Sequence, residues 1–200
     1  MRRTSLLILP LVLGGWLLST ALPQSAPRGA AELRNDMLID SDAGITASKR
    51  WAAGQVAVYF VPAAGLVQPM HSRMAWQAFG AWQQAIGNVI VFKETAQLSN
   101  ADIYLQWVDG NAGGWGDVSG YCQVVYDAEG YIQKGRILID LYQRADRDLY
   151  LHEIGHCIGL MHSSNPADVM YYQEMPGLQG ISADEAAMAR MLYSQPPGAR

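Results

Sequence analysis

The segment from Leu151 to His162 restricts the fold of this chain more than any other part of its sequence. It reads LHEIGHCIGLMH and holds three of the four histidines. Side chains four residues apart lie on one face of a helix, so a helix here would bring His152 and His156 together around one metal ion. At Gly159, a residue free to adopt positive φ lets the chain turn sharply and return His162 as a third ligand. The sequence therefore predicts a metal-binding helix that ends in a tight turn.

Three imidazoles predict a catalytic metal site rather than a structural one. Structural zinc is closed by four protein ligands, whereas three ligands leave one position open for water. Zinc lowers the pKa of such a water from 15.7 to about 7 and polarises a carbonyl group. Glu153, next to the first ligand, is placed to take the proton of the water and pass it to the leaving amine. We expect one zinc ion held by His152, His156 and His162, with Glu153 as general acid/base, and we interpret His71 as structural.

The residues after the motif resemble those of the metzincin zinc peptidases, and within them the matrixins, the family of the matrix metalloproteinase catalytic domain. Ser163 follows the third histidine, as in matrixins, and Met170 and Tyr171 stand at the spacing of the family. In the family this methionine forms the Met-turn, an apolar base under the histidines. The resemblance implies the same role for Met170. The likeness extends over residues 55–193 and includes the start of a C-terminal helix at residues 181–185.

This resemblance implies both a fold and an activity. The expected fold is an α+β, metzincin-like zincin domain with a mixed, mostly parallel twisted sheet of about five strands. That sheet is expected to pack on two long helices, with a C-terminal helix after the Met-turn. The expected activity is that of a zinc-dependent metalloendopeptidase, whose peptide substrate lies extended along an edge strand near Val118–Val125.

Two other functions stay open at this point. One is a catalytically silent, peptide-binding domain of the same fold, and the intact Glu153 argues against it because a silent relative is free to lose that carboxylate. The other is an aminopeptidase-type metallopeptidase, which needs an acidic anchor for the amine of the substrate. The sequence does not locate such an anchor.

Three features depart from the matrixin pattern. No histidine stands between His71 and His152, so we expect no second, structural zinc. Residues 22–50 contain no cysteine, so we expect no latency through a cysteine placed on the metal. Tyr172 occupies a position where matrixins commonly have proline. It is either a donor to the developing oxyanion or, as the favoured interpretation, an aromatic side chain packed under the specificity pocket.

Local patterns predict the order of the other elements. Asp146 and Ser182 are residues that cap helix N-termini, and Glu185 completes a capping box with Ser182. The cluster Asp127–Gly130 is typical of a turn between two strands. The periodicities predict strands at 55–61, 89–93, 103–107, 121–126 and 136–140, and helices at 69–87 and 146–159 and from 182 onward.

The two cysteines, Cys122 and Cys157, leave two interpretations open. In an exported chain an even pair favours a disulfide bridge, and the alternative is two independent buried thiols. Sequence separation does not decide between them, because bridging depends on the distance between the two Cα atoms.

A glycine-rich stretch at residues 109–117 contains Asp109, Asn111 and Asp117. Their oxygen atoms are of the type that binds Ca²⁺. A plain surface loop is the favoured interpretation, because glycine at this density suits unusual backbone angles without any ligand.

Composition excludes one class of partner and indicates a single domain. Asp and Glu number 18 against 14 Lys and Arg, and the net charge is −4, so the basic footprint that nucleic acid needs is missing. A chain of 200 residues with 50% hydrophobic content can bury one core. We expect one globular peptidase domain at residues 51–200, acting as a monomer on a protein or peptide substrate.

The N-terminus resembles an export signal. Arg2 and Arg3 precede the apolar stretch Leu6–Leu18, and small residues at 19–21 follow. That stretch is shorter than the roughly 20 residues a membrane span needs. We expect a signal peptide at residues 1–21, with an uncleaved anchor as the alternative, followed by an irregular arm at residues 22–50. The mature protein would then be secreted or periplasmic, with no membrane span.

Overall fold

The computed structural model describes residues 49–63, 65, 67–110, 119–142, 145–173, 175 and 177–195. The predicted signal peptide, nearly all of the arm, and Asn111, Asp117 and Val118 lie outside these residues. The strands are β1 (Gly54–Phe60), β2 (Ile90–Glu94), β3 (Ile103–Val108), β4 (Gly120–Tyr126) and β5 (Ile132–Asp140). The helices are α1 (Pro69–Ala85), α2 (Arg147–Cys157) and α3 (Ala183–Ser194), with a 3₁₀ turn at Leu98–Asn100.

The five strands form one mixed sheet in the order β2-β1-β3-β5-β4. Pairing is parallel from β2 through β1 and β3 to β5, and β4 runs antiparallel to β5. With the three helices this confirms the expected α+β class and the mostly parallel sheet. Because β4 pairs with β5 on one side only, it lies at an edge of the sheet.

The core lies between the sheet and the helices. Ile103, Leu105 and Trp107 alternate along β3 and are buried, as the period of a half-buried strand predicts. Helix α1 buries its apolar face against the sheet and against α2, where the indole N–H of Trp82 donates to the carbonyl of Leu151 at 2.7 Å. Every residue of α2 from Leu149 to Cys157 is buried. The predicted metal-binding helix is therefore buried over most of its length.

The β4–β5 hairpin is longer than local patterns predict. Strand β5 begins at Ile132, four residues before the predicted start, although Gln133 and Lys134 are exposed and Gly135 has low strand propensity. Ile132, Lys134 and Gly135 pair with β4 across the expected turn, in which the amide of Tyr131 donates to the side chain of Asp127 at 2.8 Å. Pairing with a neighbouring strand, rather than propensity, sets the start of β5.

A disulfide bridge joins Cys122 on β4 to Cys157 at the end of α2, with the two Cα atoms 5.7 Å apart. It links the edge strand of the sheet to the helix that carries the first two histidines. The bridge favoured from the sequence is thus present. No helix within the described ranges is both long enough and apolar enough to cross a membrane.

Candidate metal centre

Three histidines come together at the end of α2. Ring nitrogens of His152, His156 and His162 all lie within 4.8 Å of one another. His152 and His156 stand one turn apart on α2, and His162 lies in the loop that follows it. The sequence predicted this convergence. His71 lies on α1 and does not belong to the group.

Both ends of α2 are fixed by side chains. At its start the carboxylate of Asp146 accepts from the amide of Leu149 at 3.2 Å, as the capping pattern predicts. At its end the indole N–H of Trp51 donates to the carbonyl of Cys157 at 2.8 Å, and the hydroxyl of Tyr193 donates to that of Ile158 at 3.1 Å. These bonds satisfy carbonyls that a helix end otherwise leaves without partners.

Gly159 makes the turn that brings the third histidine back. Its φ is 103°, a backbone conformation that residues with a side chain rarely adopt. A Cβ atom there would also overlap the carbonyl oxygen of Lys49. Glycine is therefore required at this position for two reasons, of which the sequence indicated only the first.

Backbone carbonyls fix the tautomers of the two helical histidines. Nδ1 of His152 lies 2.6 Å from the carbonyl oxygen of Val169, and Nδ1 of His156 lies 2.7 Å from that of Leu160. A carbonyl oxygen can only accept, so each Nδ1 carries the proton and each Nε2 presents a lone pair. The two Nε2 atoms are 2.8 Å apart. With no proton between them, this arrangement suits a shared cation.

Burial keeps the three imidazoles neutral. It lowers the pKa of His152 to about 3, an effect to which His162 adds, and it lowers the pKa of His162 to about 4. Burial, together with His152 and His162, also holds the pKa of His156 well below its ordinary value. Nε2 of His162 is buried and has no hydrogen-bond partner among the described residues. Three neutral imidazoles with free lone pairs are a donor set that fits zinc.

Glu153 lies beside this group and not within it. Its side chain is fully buried, and it faces β4, where its Cγ atom would lie 3.0 Å from a Cβ atom placed on Gly120. The carboxylate is therefore held between the metal-binding helix and the edge strand. Three histidines converge and one carboxylate lies beside them, and their roles as ligands and general acid/base stay predictions.

Met170 packs directly under α2. Its side chain is fully buried, and its sulfur occupies the space that a Cβ atom of Gly155 would need. Gly155 lies between His152 and His156, so the absence of a side chain there lets Met170 reach the helix between the two ligands. Sequence reasoning missed Gly155, because only the approach of Met170 from a distant segment reveals its purpose.

Glu185 connects the Met170 segment to α3. Its carboxylate accepts from the amide of Met170 at 2.8 Å and from the amide of Ser182 at 2.7 Å. The second bond belongs to the predicted capping box, whereas the first was not foreseen. Burial raises the pKa of Glu185 to about 7. The carbonyl of Val169, the residue before Met170, accepts from Nδ1 of His152, so Glu185 steadies the segment that orients the His152 ring.

Asp168 holds the loop that carries the third histidine. It is buried and accepts from the hydroxyl of Ser163 at 2.6 Å and from the side chain of Asn165 at 3.2 Å. The amide of Ser163 in turn donates to the carbonyl of Met170 at 2.8 Å. Sequence reasoning missed Asp168, although a run of Ser, Asn and Asp is typical of such side-chain-stabilised turns.

Tyr172 is 46% exposed, and its ring centre lies 4.5 Å from that of Tyr171. Packing accounts for only part of its surface. Both interpretations of Tyr172, oxyanion donor and pocket residue, stay predictions. The calcium prediction also stays open, because of its three residues only Asp109 is described.

Comparison with known families agrees with this geometry. The family model described as Matrixin matches residues 50–194, a range that contains every strand and helix described above. The chain belongs to the matrixin family. This matrixin is also similar to the probable matrix metalloproteinase 095L of Invertebrate iridescent virus 3, with 25% identity over 130 residues. The similarity covers 58% of this chain and 36% of the viral protein, so it spans only about a third of that relative.

Proposed function

We propose that this matrixin is a zinc-dependent metalloendopeptidase. One observation carries the proposal: three neutral imidazoles, two of them buried, bring ring nitrogens within 4.8 Å of one another, beside a buried carboxylate that is not part of the group. His152, His156 and His162 would hold the ion. When bound, zinc would supply a water that ionises at a pKa of about 7 and would polarise the scissile carbonyl.

In this proposal Glu153 moves the proton. Its carboxylate takes a proton from the attacking water and gives it to the amine that leaves when the C–N bond breaks. Its burial keeps bulk water from competing for that proton. The Nδ1–H bonds to the carbonyls of Val169 and Leu160 hold two ligand rings in orientation, and Met170 forms the apolar base expected of a Met-turn.

Strand β4 is the proposed surface for the substrate backbone. It is an edge strand, so an extended peptide can add to the sheet there through main-chain hydrogen bonds. Gly120 on this strand faces Glu153, which brings the bound peptide close to the catalytic carboxylate.

Export remains part of the proposal. We propose that residues 1–21 direct the peptidase domain out of the cytoplasm to a secreted or periplasmic location. The bridge between Cys122 and Cys157 supports this, because such bonds persist in oxidising compartments.

The test is Glu153→Ala with denatured casein and with an N-acetylated peptide as substrates. We expect a loss of about 10²–10⁴-fold in kcat, with zinc content equal to the wild type because Glu153 is not a ligand. Internal cleavage of the N-acetylated peptide by the wild type would exclude an aminopeptidase. A wild type that binds but never cleaves casein would favour the silent domain, and full activity in Glu153→Ala would overturn the assigned role.

A further inference from the structure

We infer that Gly120 is a positioning residue for Glu153: its lack of a side chain leaves the space in which the carboxylate of Glu153 lies. The inference rests on the proposed function, since it concerns the group that moves the proton. It adds a residue of the edge strand to the catalytic arrangement.

The space at Gly120 is enclosed from two directions. A Cβ atom there would lie 3.0 Å from Cγ and 3.1 Å from Oε1 of Glu153, and 3.0 Å from the carbonyl oxygen of Leu138. Both distances to Glu153 are shorter than ordinary van der Waals contact. Leu138 belongs to β5, whose backbone is fixed by pairing with β3 and with β4. Because the carbonyl of Leu138 cannot give way, the side chain of Glu153 is the neighbour that yields to a Cβ atom.

The disulfide bridge prevents β4 from moving instead. Gly120 and Cys122 are both buried and stand two residues apart, so they project from the same face of β4. Glu153 and Cys157 stand four residues apart on one face of α2. Two strand residues span about 6.8 Å and four helical residues span about 6 Å, so the two spacings match. The bond from Cys122 to Cys157 thereby fixes Gly120 opposite Glu153.

Ala at position 120 is expected to displace the carboxylate by a fraction of an ångström. Since a misplacement of 1 Å can cost about 10²-fold in rate, we expect Gly120→Ala to lower kcat by about tenfold. KM should stay within about twofold, because the backbone of β4 keeps its edge for the substrate. Zinc content should equal that of the wild type, because none of the three histidines is touched.

Gly135→Ala is the matched control. Gly135 lies on the neighbouring strand β5, and a Cβ atom there would lie 3.2 Å from Cγ1 of Ile103 and 3.3 Å from Sγ of Cys157. The substitution therefore crowds the same layer between the sheet and α2, somewhat less closely and without a contact to Glu153. We expect its kcat to stay within about twofold of the wild type.

A double-variant cycle with Glu153→Ala separates the contact from general damage. Alanine lacks Cγ and Oε1, the two atoms of Glu153 that a Cβ atom at position 120 would meet. We expect Gly120→Ala to lower the urea concentration at which the wild type unfolds, and to shift that of Glu153→Ala by less than half as much. Equal shifts in both backgrounds would overturn the inference.

The outcomes distinguish this inference from the proposed function. If Glu153→Ala is inactive while Gly120→Ala keeps full kcat, the inference fails and the proposed function stands. If Glu153→Ala is fully active, the proposed function fails first. If Gly120→Ala does not fold, recovery of folding in the Glu153→Ala background supports the contact, and continued misfolding there overturns it.

Discussion

Glu185 shows how one residue outside the metal group supports it. One of its carboxylate oxygens accepts a hydrogen bond from the amide of Met170, and the other accepts from the amide of Ser182. The carbonyl of Val169, the residue before Met170, accepts from Nδ1 of His152. The carboxylate is fully buried, and burial raises its pKa to about 7. A group of this kind makes stability depend on pH.

The predicted dependence has a definite sign. The folded state holds the proton of Glu185 more tightly than the unfolded state, whose pKa is near 4.5. Its contribution to stability is therefore fully present below about pH 4.5 and is lost as the pH rises through about 7. Glu185→Gln does not titrate, so the unfolding free energy of the wild type relative to this variant should fall over that range.

Urea unfolding of both proteins in metal-free form checks this. Using metal-free protein lets the titration of the buried histidines cancel in the difference. A difference that stays constant from pH 4.5 to 7 would show that Glu185 does not titrate as a buried carboxyl.

The role of a single residue was predictable from the sequence where that role depends only on residues nearby in the chain. The positive φ of Gly159, the cap at Asp146 and the capping box at Ser182 each depend on a few neighbouring residues. The purposes of Gly155 and Gly120 depend on side chains that approach from other parts of the chain. No local pattern contains that information.

At the scale of elements, the bridge between β4 and α2 is the contact with the clearest consequence. It closes a loop with a sequence separation of 35 residues between Cys122 and Cys157. Because the bridge restricts the conformations of the unfolded chain, closing a loop of this length raises the free energy of unfolding by about 3–4 kcal/mol. The bridge also joins the strand proposed to bind substrate to the helix that carries two of the three converging histidines.

The double variant Cys122→Ala with Cys157→Ala should therefore unfold at a lower urea concentration, with an unfolding free energy lower by about 3–4 kcal/mol. Reduction of the wild type should shift its unfolding in the same direction and leave the double variant unchanged. A change below about 1 kcal/mol would show that packing alone holds β4 against α2.

Strand and helix positions followed from periodicity, with one informative difference. The predicted β5 began at residue 136 because Gln133, Lys134 and Gly135 do not favour a strand, yet Lys134 and Gly135 pair with β4. Partners across a sheet decide such boundaries, and the sequence alone does not show which strands become partners.

At the scale of the whole molecule, the order of elements was predictable and the order of strands in the sheet was not. The hairpin of β4 and β5 follows from its short turn. The position of β1 between β2 and β3 depends instead on the longer connections between these strands, and local sequence patterns do not show which strands those connections bring together. The family match over residues 50–194 agrees with the architecture as a whole. The monomeric state stays a prediction.

The account depends on one metal ion held by three imidazoles, so metal stoichiometry tests it most directly. Zinc should bind the purified protein at one equivalent per chain, because the described residues contain one group of three converging ligands. His162→Ala should bind zinc at least about tenfold more weakly, because it removes a ligand and leaves two. Failure of the wild type to bind zinc, or equal affinity in His162→Ala, would contradict the account.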